Sequence, residues 1–294
     1  ILHIIDMLEN CIKYNNITTI YGSSKPKERN FMITINPFSE LSGLVSSIIM
    51  QLFVVGMIIL VIVGTLIDMI HKKNVKYFFE NIKKSKKSAT RSVNAIEKTS
   101  IVFKSVSSEI LTTSELNGKR RAAHLLGMYG TILFWVTSVI MIFCYSTTTS
   151  ITPLILPILW HLGAIMTCIG GYWFWFFLRV DLVAEANPWY QVIKADLFIL
   201  SLVVSSTLGL IWSYFQAANI FFFDNLFLIL FIFSNLVLFG GVYWSKFAHM
   251  FYKPGAAIQK KLAEADGSRD KLPAPVDKPK TYGLGIKREE PKHY

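Results

Sequence analysis

Three histidines stand in or at the ends of strongly apolar stretches: His124, His161 and His249. Ionisable groups at membrane depth are costly, which makes them functional candidates, and imidazole both ligates metals and exchanges protons near neutral pH. His124 follows the basic run "KRRAA" where one apolar stretch opens. His249 follows another as it closes, within "YWSKFAHMFYKP" at 243–254. His3, His71 and His293 lie elsewhere: in the polar N-terminal segment, at the end of the first apolar run and in the tail. Cys11, Cys144 and Cys168 form no CxxC and no zinc or cluster spacing, so any iron–sulfur centre belongs to a partner chain. Cys144 and Cys168 read as small buried hydrophobes. With no glycine-rich phosphate loop, no paired carboxylates inside an apolar run and no Ser/His/Asp order, soluble-enzyme chemistry has nothing to stand on.

The elements that must position the histidines are membrane spans. Of 294 residues, 52% are hydrophobic and mean hydropathy is +0.44, which places the chain in the membrane class. About 20 apolar residues cross a bilayer core, and five runs qualify: 44–70, 126–146, 153–178, 195–215 and 225–244. The expected fold is therefore all-α, an integral bundle of five transmembrane helices. The net charge of +11 lies between the runs, with residues 71–121 rich in lysine and arginine, whereas the turns "STTTSIT" and "QAANIFFF" carry no charge. The positive-inside rule puts 71–121 in the cytoplasm, the N-terminus outside and the C-terminus inside. "KPKER" at 25–29 runs against the rule, which weakens with distance from a span. The charge reads as topology and anionic-lipid contact, and no nucleic-acid-binding motif accompanies it.

This topology sets depth. His124 opens the second span and His249 follows the fifth, so both sit near the inner edge of the hydrocarbon on helices that can be neighbours. Two imidazoles facing each other across a helix gap suit a b-type haem, one ligand on each side of the iron. Arg120, Arg121, Lys246 and Lys253 stand where propionates would meet water. The alternative is that both are boundary residues without a ligand. His161 lies roughly 20 Å or more of helix rise from the inner boundary marked by Arg179, so it shares no ligand set with the others. It is a candidate for a quinone headgroup, with Trp160 stacking, or for an outer haem; the plainer reading is a histidine satisfied by a neighbouring helix or water. The aromatic run "YWFWFF" at 172–177 reads mainly as packing, with Trp173 and Trp175 as candidate walls of a haem pocket.

The five-run layout, "RAAHLLGMYG" at the start of the second, the Asp-x-x-x-x-Ser-Leu opening of the fourth at Asp196 and above all "SKFAH" at 245–249 resemble the cytochrome b family of respiratory nitrate reductase gamma subunits. The similarity extends to the related membrane subunits of heterodisulfide reductase and of quinone-linked adenylylsulfate and sulfite reductase complexes, and covers about residues 44–256. The resemblance implies a haem b subunit of a prokaryotic cell membrane that exchanges electrons with a quinone and serves cytoplasmic iron–sulfur or molybdenum-type catalytic subunits. His124 and His249 match its inner-haem pair. Its outer-haem histidines would fall at Phe134 or Trp135 and at Phe231, so one haem is expected and the second is not.

Three parts follow: an N-terminal leader, 1–43, of which 1–31 lack the order of a secretory signal and precede a natural-looking start at Met32; the five-span domain, 44–256; and a largely extended cytoplasmic tail, 257–294. Its prolines exclude a continuous helix beyond about residue 266, and "TYGLGIKREEPKHY" reads either as a segment ordered by a partner or as a solubilising tail. Residues 74–121 alternate apolar and basic positions, which fits an amphipathic helix on the membrane surface or against a partner, or else a solvated basic loop. A haem-free anchor or assembly subunit is the competing function. A transporter has only the prolines at 153 and 157 in its favour.

Overall fold

Inside a bilayer no water bonds the backbone, so an apolar run must satisfy its own N–H and C=O groups as a helix. The computed structural model of the protein describes residues 32–71, 74–113, 116, 118–179, 190–245, 247 and 249–268, and none of the described residues is in a strand. Its helices are α1 (Pro37–Leu41), α2 (Ser47–His71), α3 (Asn74–Ser88), α4 (Ala95–Ser105), α5 (Gly118–Cys144), α6 (Ile155–Trp173), α7 (Leu197–Ala217), α8 (Phe221–Gly240) and α9 (His249–Ala265). A π-helical turn, Val106–Leu111, continues α4, and another, Phe174–Leu178, continues α6. Five helices are long and apolar enough to cross a membrane: α2, α5, α6 with its π turn, α7 and α8. The protein is thus a multi-pass helical membrane protein.

The spans match the expected runs with instructive offsets. The second begins at Gly118, eight residues before the expected 126, because the basic residues of "GKRR" already belong to the helix and their long side chains can reach water from its first turn. The fifth begins at Phe221 and ends at Gly240, four residues early at each end. A tight turn over 241–245 then leaves the span axis, and Gly240 and Gly241 are poor helix formers.

Each span packs on its neighbour in sequence: α5 on α6, most extensively, then α7 on α8 and α6 on α7; α2 closes the ring by touching both α8 and α5. The α5–α6 contact is backbone against backbone. A Cβ on Gly130 would lie 2.6 Å from Thr167 N, one on Gly163 2.6 Å from Phe134 N, and one on Gly170 2.5 Å from Gly127 N. Small residues permit such an approach in lipid, where close packing and interhelical hydrogen bonds hold helices together. Thr131 and Thr167 meet across this seam, Oγ1 to Oγ1 at 3.4 Å.

Residues 32–43, expected to belong with the leader, pack on the ring. Asn36 caps α1, accepting through Oδ1 from Phe38 N at 3.0 Å. Its Nδ2 donates to Tyr145 O at 2.8 Å and to Thr152 Oγ1 at 3.0 Å, both in the turn joining α5 and α6. Gln216 of α7 donates to Pro37 O at 3.0 Å, and Phe38 inserts between Trp160 and Trp212. The uncharged end of the ring is thereby lidded.

At the basic end, α3, α4 and the π turn make residues 74–88 and 95–111 helical, and residues 89–94 form the connection between them. The chain expected to run extended from 257 is helical through Ala265 instead, because α9 has a packing face: it lies on α4, its π turn and α3. Its last carbonyls are satisfied by the α3–α4 connection, with Thr90 N donating to Asp266 O at 3.0 Å and Arg91 N to the same oxygen at 3.2 Å. The Asn187-Pro188 pair, a turn signal between the third and fourth spans, and the segment 281–294 lie outside the described residues.

A Cβ at the α5–α6 seam meets backbone that cannot give way. Gly130→Ala or Gly163→Ala should destabilise the protein in detergent by about 1–3 kcal/mol, the usual cost of overpacking, read as a lowered unfolding temperature. Gly56→Ala, where a Cβ meets nothing within 4 Å, should leave it unchanged.

Candidate functional site

The first turns of α5 carry the candidate cluster. Arg120 and His124 are four residues apart and therefore share a helix face. Arg120 Nη2 donates to Leu178 O at 2.9 Å, tying α5 to the last turn of the third span. Its Nε is buried without a hydrogen-bond partner, a donor set aside for an acceptor. His124 is exposed at the rim of the ring. Arg121 Nε donates to Thr112 O at 2.8 Å, which directs this guanidinium toward the π turn and away from Arg120.

The second half of the cluster arrives through the turn after α8. Val242 is fully buried and packs where Gly64 of α2 leaves room. Phe247, 2% exposed, stacks on Trp135 of α5 with centroids 6.1 Å apart and stands edge-on to Phe198 of α7 at 5.1 Å. Trp135 follows His124 by eleven residues, which at about 100° per residue places both within about 20° on α5. Phe247 is thus seated on the side of α5 that carries His124, about 16 Å of rise farther along the helix, and α9 begins two residues later at His249. Lys246 lies outside the described residues, as do the side chains of His249 and Lys253.

The residue types that would hold a haem stand at the rim of the ring, an imidazole at His124 and a guanidinium at Arg120. The inner core is filled by Phe247, Trp135, Phe198 and Phe239, whereas the Arg120–His124 face offers an imidazole at an exposed position and an unsatisfied cationic donor one turn away.

The outer half of the ring differs. His161 is 2% exposed and both ring nitrogens are engaged. Nδ1 lies 2.7 Å from Pro157 O, and a carbonyl only accepts, so Nδ1 carries the proton; Nε2 then accepts from Ser213 Oγ at 2.9 Å. Trp160, fully buried, donates from Nε1 to Ser138 Oγ at 2.8 Å and is covered by Phe38, Phe134 and His161. In this packing neither residue shows an open face to a quinone, and the histidine acts as a clasp between α6 and α7. Phe134 and Phe231 meet across the core at 6.4 Å. Trp160 and Trp212 complete that aromatic fill.

Of the aromatic run, Trp175 is buried under the Arg179 guanidinium, 3.9 Å from its ring centroid, and so serves packing at the inner boundary. Arg179 also pairs with Asp196, both largely buried, and donates to Gln191 O at 3.0 Å; Asp196 accepts from Ile193 N at 3.0 Å. The pair staples the end of the third span to the start of the fourth. Spacing alone did not reveal it, because the partners are 17 residues apart across a loop. Among the described residues no group of three or more His, Cys, Asp or Glu side chains could hold a metal ion.

No family model, curated protein or solved structure matches the chain.

Breaking the buried pair strands a charge. Arg179→Met alone or Asp196→Leu alone should cost about 3–5 kcal/mol, and the double substitution markedly less than the sum, read from chemical unfolding of the detergent-solubilised protein.

Proposed function

We propose that the protein is the membrane cytochrome b subunit of a respiratory oxidoreductase complex in a prokaryotic cell membrane. It exchanges electrons with a membrane quinone or quinol and serves cytoplasmic iron–sulfur subunits, or molybdenum-type catalytic subunits behind them, in which the substrate chemistry lies. The observation that carries this reading is the Arg120–His124 face of α5, where an exposed imidazole stands one turn from a buried Nε–H with no partner. The contact of Phe134 with Phe231 adds support from the resemblance, because the two outer positions of the family oppose each other on α5 and α8.

In this reading His124 and His249 are the axial ligands, Arg120 donates to a propionate, and Lys246 and Lys253 supply further positive charge at the boundary. Haem b, when bound, supplies a one-electron carrier. The protein's own contribution is positioning and insulation: Trp135, Phe247, Phe198 and Phe239 keep water out of the inner core, and the outer aromatic cluster leaves room for no second haem. The basic end, with α3 and α9, offers the positively charged platform on which partner subunits dock.

A second reading, a haem-free anchor or assembly subunit, draws on the same aromatic fill of the core and on Arg121, whose guanidinium is turned to Thr112 O.

Reduced-minus-oxidised spectra of the intact purified protein separate the two. A b-type band near-stoichiometric with protein is expected, abolished by His124→Ala or by His249→Ala while the protein still inserts. Arg120→Gln should keep the band and shift its midpoint potential. A band that survives both histidine changes overturns the ligand assignment; no band in the unaltered protein favours the anchor.

A further inference from the structure

The basic helices carry an apolar stripe that neither the fold nor the proposed function uses. On α4, Ile96 and Phe103 are 82% and 75% exposed; seven residues apart, they lie within about 20° of each other on the helix. Leu111, at the end of the π turn, is exposed as well. The opposite side of α4 packs on α9 and buries Ser105. An exposed stripe of this kind on a helix with a packed back face needs an occupant.

Two hydrogen bonds fix how deep this element sits. Tyr129 OH donates to Leu111 O at 2.7 Å, and Arg121 Nε to Thr112 O at 2.8 Å. Tyr129 is eight residues beyond Arg121 in a membrane-spanning helix, about 12 Å of rise, and its side chain leans back toward the helix start. Residues 111–112 therefore lie alongside the first turns of α5, at the depth where headgroups give way to acyl chains, and not beyond the end of the span. Around them the exposed Lys98 and Lys104 of α4 and the exposed Lys83, Lys84, Lys86 and Lys87 of α3 form a field of positive charge, complementary to acidic headgroups. Tyr77 and Phe79 of α3 are also exposed, in keeping with the enrichment of aromatic residues at interfaces.

We infer that α4 and its π turn form a monotopic interfacial element. Ile96, Phe103 and Leu111 insert among the acyl chains of the leaflet at the basic end of the bundle, and Lys104, about 80–100° round the helix on the flank of the stripe, contacts acidic phospholipid headgroups. The occupant of the stripe is lipid, and the inference is independent of whether a haem is bound.

The test uses the full-length protein in vesicles of phosphatidylcholine with or without phosphatidylglycerol. Nitroxides are placed singly by Ile96→Cys and Phe103→Cys in a protein carrying Cys11→Ser, Cys144→Ala and Cys168→Ala. Free nitroxide in buffer serves as the aqueous reference and Leu52→Cys, exposed on α2, as the lipid reference. Collision with oxygen relative to a water-soluble nickel chelate should place positions 96 and 103 near the lipid reference. Lys104→Gln should make the labels shallower in vesicles containing phosphatidylglycerol and not in phosphatidylcholine alone. Ratios at the aqueous reference, as a stripe awaiting a soluble partner would give, overturn the inference. So does protection from both relaxants, as contact with protein or a second copy would give.

Discussion

The bundle depends on two glycine-lined backbones in contact. In lipid, apolar side chains gain little by exchanging hydrocarbon for one another, so helices associate where small residues let main chains approach. Gly127 and Gly130 of α5 against Gly163 and Gly170 of α6 supply that contact, and the rest is built outward from it. With α5 and α6 this close, Trp160 reaches Ser138 and presents its ring to Phe134, and His161 is turned toward Ser213 on the next helix. The remaining spans complete the ring.

The two ends of the ring are finished differently, and the difference bears on function. The uncharged end is sealed by Asn36, Phe38 and an aromatic cluster, with its histidine held in a neutral two-bond arrangement. The basic end carries an unpartnered donor on Arg120, an exposed His124 and a helical platform in which α9 is laced to the α3–α4 connection. A one-haem subunit and a haem-free anchor both accommodate the sealed end; the first gives the Arg120 donor a task.

Much of this was legible in the sequence. Five spans were readable because an unbroken apolar run has one outcome in a bilayer, and the helix stop near 266 was readable from proline and glycine. Three things were not. The cap at 36–41 is short and polar, and its role depends on partners more than a hundred residues away. The helix of α9 beyond 256 was hidden because its apolar positions acquire meaning only against α4. At the candidate site, residue type and approximate depth were visible for His124 and Arg120, whereas the saturation of both nitrogens of His161 came from Pro157 and Ser213, which no spacing rule connects.

The first span is the least embedded of the five, and its neighbours are made at opposite ends of synthesis. Asn36 and Pro37 wait for the turn after α5 and for Gln216, and Gly64 waits for Val242, which emerges only after α8. During biogenesis α2 therefore has only its contact with α5 among the spans until the last one is released, so the final span made is the one that completes the packing of the first.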